Sequence, residues 1–156
     1  MPQVLIVAYG NPLRSDDGVA WRAAEILDTR FNQPDVEIRR LHQLTPELAE
    51  TVSHFERVIF IDAASSQGSD RSPGLVRVEE IGTGAEDPSR FSHALSPQRV
   101  VGMAAQLYGA CPPAFVVTVT GASFDHGTSL SPSIANSLPE LISTIEQLVG
   151  DAAPKA

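Results

Sequence analysis

The sequence predicts a three-layer α/β/α sandwich on a mostly parallel five-stranded sheet with one antiparallel strand, and three observations carry that expectation. Continuous apolar runs, too apolar for strands with a wet face, alternate with stretches of helical period. The connections between them are short. One connection, residues 63–74, is Ser-, Gly- and Asp-rich and too short for a crossover helix, so the strand after it must run antiparallel. A chain of 156 residues can bury a core without disulfide or metal staples. Residues 1–150 therefore read as a single α/β domain and 151–156, small and polar, as a flexible C-terminal tail.

Residues 4–8 are apolar throughout and form the first strand. From Gly18 the residues Val19, Ala23, Ile26 and Leu27 recur at helical spacing up to about Arg30, with Asp16 or Asp17 placed to cap the first turn. Residues 36–38 are a short second strand. Thr45 then caps a helix with Pro46 at its first position and Leu48, Val52 and Phe55 as its buried stripe. Residues 58–61 form the third strand, with Asp62 at its carboxyl end, and 75–78 the antiparallel edge strand. Residues 79–95 contain Gly82, Gly84 and Pro88, show no period, and read as a long surface loop with His93 near its end. Ser96 and Pro97 start a helix with Val100, Met103, Ala104 and Leu107 toward the core. Residues 114–120, rich in β-branched side chains, are the last strand, followed by a turn at Gly121. Ser131 and Pro132 open a final helix with Ile134, Leu138, Leu141, Ile142, Ile145 and Leu148 on one face, which Pro139 kinks or truly begins.

A net charge of −8 argues against nucleic acid and against an anionic membrane surface, both of which need a basic face. It favours a basic partner segment or a metal cation. No apolar run is long enough for membrane insertion. The amino terminus has neither the basic start nor the cleavage site of a signal peptide, so the expected location is cytoplasmic. Cys111 is the single cysteine, which excludes an internal disulfide and a cysteine metal cluster. A metal would have to be held by His, Asp or Glu.

The turn Gly10-Asn11-Pro12-Leu13-Arg14-Ser15-Asp16-Asp17-Gly18 follows the first strand, where open α/β sheets place their ligands. Asp62, closing the third strand, shares that sheet edge. Asp17, Asp62 and His93 together would offer two carboxylate oxygens and an imidazole nitrogen, a set suited to nickel or zinc with positions left open. Each has a plainer reading: Asp16 and Asp17 as helix caps, Asp62 bonded to a loop amide, His93 as a solvated loop residue. His42, His54 and His126 are weaker candidates, and His126 with Asp125 could at most line the cleft. The first turn lacks the glycines of a dinucleotide fingerprint, and its two acids would repel a pyrophosphate. Gly121-Ala122-Ser123-Phe124-Asp125 has the outline of a nucleophile elbow but ends on Asp where the motif needs Gly. Cys111 has no positioned base, and the zinc-protease and pepsin-like motifs are absent.

The first turn, together with 58–63 and Ser92-His93-Ala94-Leu95-Ser96-Pro97, resembles the hydrogenase maturation protease family. The likeness also takes in Gln43-Leu44-Thr45-Pro46-Glu47-Leu48 and the order of elements, so it spans nearly the whole chain. It implies an α/β/α endopeptidase that removes a C-terminal peptide from the large-subunit precursor of a nickel-iron hydrogenase once nickel is inserted. It implies Asp17, Asp62 and His93 as the residues that contact the nickel and carry the catalysis. The nickel would be supplied by the substrate, with no tightly bound cofactor of the enzyme's own, and would serve as the recognition signal. The alternatives are a metal-dependent hydrolase with its own ion and a non-catalytic nickel-binding maturation chaperone.

Overall fold

Strand β1 (Val4–Tyr9) is flanked on both sides by parallel strands, β2 (Val36–Leu41) and β3 (Arg57–Ser65), so Leu5, Ile6, Val7 and Ala8 are fully buried. This geometry comes from a computed structural model that describes residues 3–31, 34–65, 72–81 and 95–150. Beyond β3 lies β5 (Ala114–Gly121), again parallel, and beyond β5 the edge strand β4 (Val76–Glu80), antiparallel to it. The order is β2-β1-β3-β5-β4, four parallel strands and one antiparallel. The fold class expected from the sequence is the one found.

Two separate apolar layers cover the sheet. Helices α1 (Val19–Arg30) and α4 (Pro132–Gly150) pack on one face, over Ile6, Ala8, Ile59, Ile61, Val117 and Val119. Helices α2 (Leu48–Val52) and α3 (Pro97–Tyr108) pack on the other, over Leu5, Val7, Val58, Phe60, Ala114 and Val116. The alternation follows from the two-residue period of a strand. From β1 the chain moves outward through α1 to β2, then crosses back over β1 through α2 to β3. The carboxyl ends of β1 and β3 therefore border a topological switch point, the place where open α/β sheets form their ligand cleft because the crossovers on either side leave on opposite faces.

Several local expectations are corrected. Neither Asp16 nor Asp17 caps α1: a 3-10 turn, Ser15–Gly18, precedes the helix, whose N-cap is Gly18 with no side-chain cap bond. Thr45 does not cap α2. Its side chain bonds that of Glu47, and the helix is only five residues long, with Phe55 beyond its end but still packed on the core. Strand β3 continues through Asp62 to Ser65 because Ala63 and Ala64 pair with Val119 and Thr120. Strand β4 takes in Glu79 and Glu80, and the buried Ile81 donates its N–H to the Ala114 carbonyl. The remainder of the expected loop, 82–94, and the tail 151–156 lie outside the described residues.

Ser96 does cap α3, its side chain accepting from the Arg99 N–H at 3.1 Å. The buried stripe, however, is Val100, Val101 and Ala104, while Leu107 is 65% exposed. Helix α4 runs without interruption through Pro139, and Leu138 and Leu148 are only partly buried. Among the described residues no helix is long and apolar enough to cross a membrane.

The contrast between Leu141, fully buried, and Leu107 is directly measurable. In urea unfolding, Leu141→Ala is expected to cost about 2–5 kcal/mol, whereas Leu107→Ala stays within about 0.5 kcal/mol of the parent. Equal losses would contradict this packing.

Candidate functional site

The turn after β1 is built by its own residues. Gly10 adopts φ 144°, and a Cβ there would overlap the Asp17 carbonyl oxygen, so only glycine lets the turn close on itself. Asn11 stabilises the turn twice: its side chain accepts from the Leu13 N–H at 2.9 Å, and its own N–H donates to Asp17 Oδ2 at 2.7 Å. The Leu41 carbonyl, closing β2, accepts from both the Gly10 N–H and Trp21 Nε1, which ties the turn to β2 and α1.

A second loop, 122–131, clamps this turn from outside. Asp16 is fully buried. Its Oδ2 accepts from the N–H groups of Ala122 (2.7 Å) and Ser123 (2.8 Å) and from the Ser131 hydroxyl (2.8 Å), while Oδ1 accepts from the Ser131 N–H (2.7 Å). Burial pushes this carboxyl up, but the donors from Ser131, Ser123 and Ala122 together outweigh it and hold the pKa below its ordinary 3.8. A Cβ on Gly121 would strike the Phe124 ring and crowd Asp16, so this glycine serves the clamp rather than a nucleophile elbow. Ser15 holds φ 50°, rare for a residue with a side chain, with its N–H on the Gly127 carbonyl and its hydroxyl on that of Asp125.

With Asp16 turned into the clamp, its neighbour Asp17 stays outside it and is partly buried. Asp62 lies on β3 with side-chain parity to Val58 and Phe60, thus on the α2/α3 face. The two acids sense each other. Burial raises the pKa of Asp62 from 3.8 to about 6, with the Asp17 charge adding to the rise, against hydrogen bonds from the Tyr9 hydroxyl and the Ala63 N–H that lower it. A carboxyl poised near neutrality beside a second carboxylate can exchange protons or accept a cation, which would relieve both the burial and the repulsion.

Asp17 and Asp62 thus lie within range of each other's charge. His93 lies outside the described residues, two positions before Leu95, which packs on the α2/α3 layer. Among the described residues no three His, Cys, Asp or Glu side chains form a group able to hold a metal. His42, His54 and His126 are exposed, and His42 lies against the Trp21 ring, centroids 5.0 Å apart. Asp125 contributes its carbonyl to Ser15. Sequence reasoning missed Tyr9, whose only signal is that it shares β1's inward parity with Leu5 and Val7.

Neither a family model nor a curated protein matches the sequence. Solved structures do. The hydrogenase maturating endopeptidase HybD from Escherichia coli is 23% identical, with TM-score 0.76 over 97% of this chain and 94% of that one. The NiFe hydrogenase maturation protease HycI from Thermococcus kodakarensis KOD1 is 20% identical, with TM-score 0.73 over 95% and 92%. HybD from Thermococcus kodakarensis is 21% identical, with TM-score 0.65 over 94% and 98%. This chain has their fold.

The two acids of the turn separate by mutation. Asp16→Ala strands buried donors and is expected to cost about 2–4 kcal/mol at pH 7. Because the folded-state pKa of Asp16 is depressed, that loss shrinks as pH falls through the carboxylate range. Asp62 behaves oppositely. Its folded pKa is raised, so the native form keeps a proton that the unfolded chain has released between about pH 4 and 6, and stability is lost as pH rises through that window. Asp62→Asn should therefore stabilise the protein by about 1–3 kcal/mol at pH 7.5 and by little at pH 4, read by chemical denaturation at both pH values. A destabilised Asp62→Asn at pH 7.5 would contradict the burial of an ionised carboxylate.

Proposed function

We propose that this chain is an endopeptidase that removes a C-terminal peptide from the nickel-loaded large-subunit precursor of a nickel-iron hydrogenase. The observation that carries this reading is the Asp17–Asp62 pair, set at the switch point of a fold shared with hydrogenase maturation endopeptidases. In this reading His93 joins the pair, and the three side chains meet nickel that arrives with the precursor, in the cytoplasm.

The electrostatics support a proofreading role for the metal. A carboxylate whose charge acts on a second, largely buried carboxyl is an unfavourable arrangement that a cation relieves. A precursor carrying nickel gains that relief on docking, whereas a nickel-free precursor does not, so the difference in affinity rests on the ion. The nickel supplies Lewis acidity toward the scissile carbonyl or a bound water. The chain's part is to present Asp17 and Asp62 to it and to leave one carboxylate able to take a proton from the attacking water. Protonation of Asp62, and of a ligating imidazole, competes with the ion, so processing is expected to fall from pH 7 to pH 5.

The decisive assay incubates the purified protein with nickel-loaded and nickel-free precursor and reads the product by mass spectrometry. Cleavage of the loaded form alone is the expected result, with Asp17→Ala, Asp62→Ala and His93→Ala each reducing its rate at least about 100-fold. Unchanged precursor mass with bound nickel would indicate a chaperone. Stoichiometric metal in the isolated protein would indicate a hydrolase with its own ion.

A further inference from the structure

Tyr9 closes β1 on the face that carries Asp62. Leu5 and Val7 pack with α2 and α3, whereas Ile6 and Ala8 pack with α1 and α4, and Tyr9 continues the first series against the α2/α3 layer. Ala8 stands opposite Ile61, so Tyr9 and Asp62 are the next residues along two hydrogen-bonded neighbouring strands, with matching parity. The Tyr9 hydroxyl is hydrogen-bonded to the Asp62 carboxylate, and the other donor to that carboxylate is the Ala63 N–H. Across the cleft, Asp17 is held by the Asn11 N–H on Oδ2.

A phenylalanine would fill the apolar part of the Tyr9 site equally well, so packing against the core does not call for the oxygen. The hydroxyl matters for what it touches. A carboxylate that is largely buried and faces a second negative charge gains by turning away from it, and a phenol donor from the neighbouring strand opposes that rotation. We propose that Tyr9 is a positioning residue, whose hydroxyl fixes the Asp62 carboxylate beside Asp17 so that the two acids can receive one cation. It acts through Asp62 and touches neither substrate nor metal. The proposal rests on Asp17 and Asp62 being the working pair.

Tyr9→Phe removes one oxygen and keeps the ring, and a thermal melt checks that the variant folds. Two measurements then test the role. In a crystal structure of Tyr9→Phe the Asp62 carboxyl is expected to be rotated or disordered relative to the wild type. On nickel-loaded precursor, kcat/KM is expected to fall about 10-fold or more, the usual scale for a partner that orients a ligating group, and the acid limb of the pH–rate profile should move to higher pH. An unmoved carboxyl overturns the proposal whatever the rate, and so does a moved carboxyl with wild-type rate and pH profile. If the wild type itself leaves the precursor intact, the proposed function fails, while the orientation of Asp62 in the variant still decides the role of Tyr9.

Discussion

A single buried carboxylate organises the functional end of this molecule. Asp16 gathers three backbone N–H groups and one hydroxyl from loop 122–131, and those bonds set where the turn after β1 can lie. Hydrogen bonds to an ionised acceptor are roughly twice as strong as neutral ones and lose little to competition from water when buried. Because successive residues of a tight turn point in different directions, anchoring Asp16 in the clamp delivers Asp17 to the cleft. Adjacent and chemically identical, the two acids have opposite jobs: one is satisfied four times over, and the other has the Asn11 N–H and a repelling neighbour.

That repulsion sets Asp62 apart from the other buried polar groups of the chain. Everywhere else in the described structure polar burial is balanced, and no buried side-chain nitrogen or oxygen lacks a partner. Asp62 departs from that balance because it carries charge into an apolar wall next to another charge. Local destabilisation of this kind is common where a binding site is held ready for a ligand that completes it.

Much of the architecture was legible in the sequence because the relevant signals are local. Continuous apolar runs marked the inner parallel strands β1 and β3, the short 63–74 connection marked the antiparallel edge, and Ser96-Pro97 marked the start of α3. Asp17 and Asp62 were legible through position, since the ends of neighbouring parallel strands share an edge. What escaped depends on distant partners. The clamp role of Asp16 is made by residues more than a hundred positions away, so nothing near it distinguishes it from a helix cap. Leu107 follows the helical period of α3 yet is exposed, because period reports a face of the helix and not where its packing partner stops. Asp62 looked like the end of a strand because it is polar, but pairing with β5 carries the ladder three residues further. Tyr9 was hidden just past the apolar run 4–8, where the strand continues by one residue and the ring's oxygen goes unnoticed.

The reach of the Asp16 clamp also imposes an order in time. Strands β1, β2 and β3 and helices α1 and α2 come from the first 65 residues and can pair early, but the donors that seat Asp16 come from β5's exit and from Ser131, at the threshold of α4. During synthesis the acids at 17 and 62 therefore exist for most of the chain's emergence without the geometry that relates them. Long-range closure of this sort is slow and comes late in folding. The placement of Asp17 relative to Asp62 is thus a late product of folding, set only once the segment that ends at Ser131 has docked on Asp16.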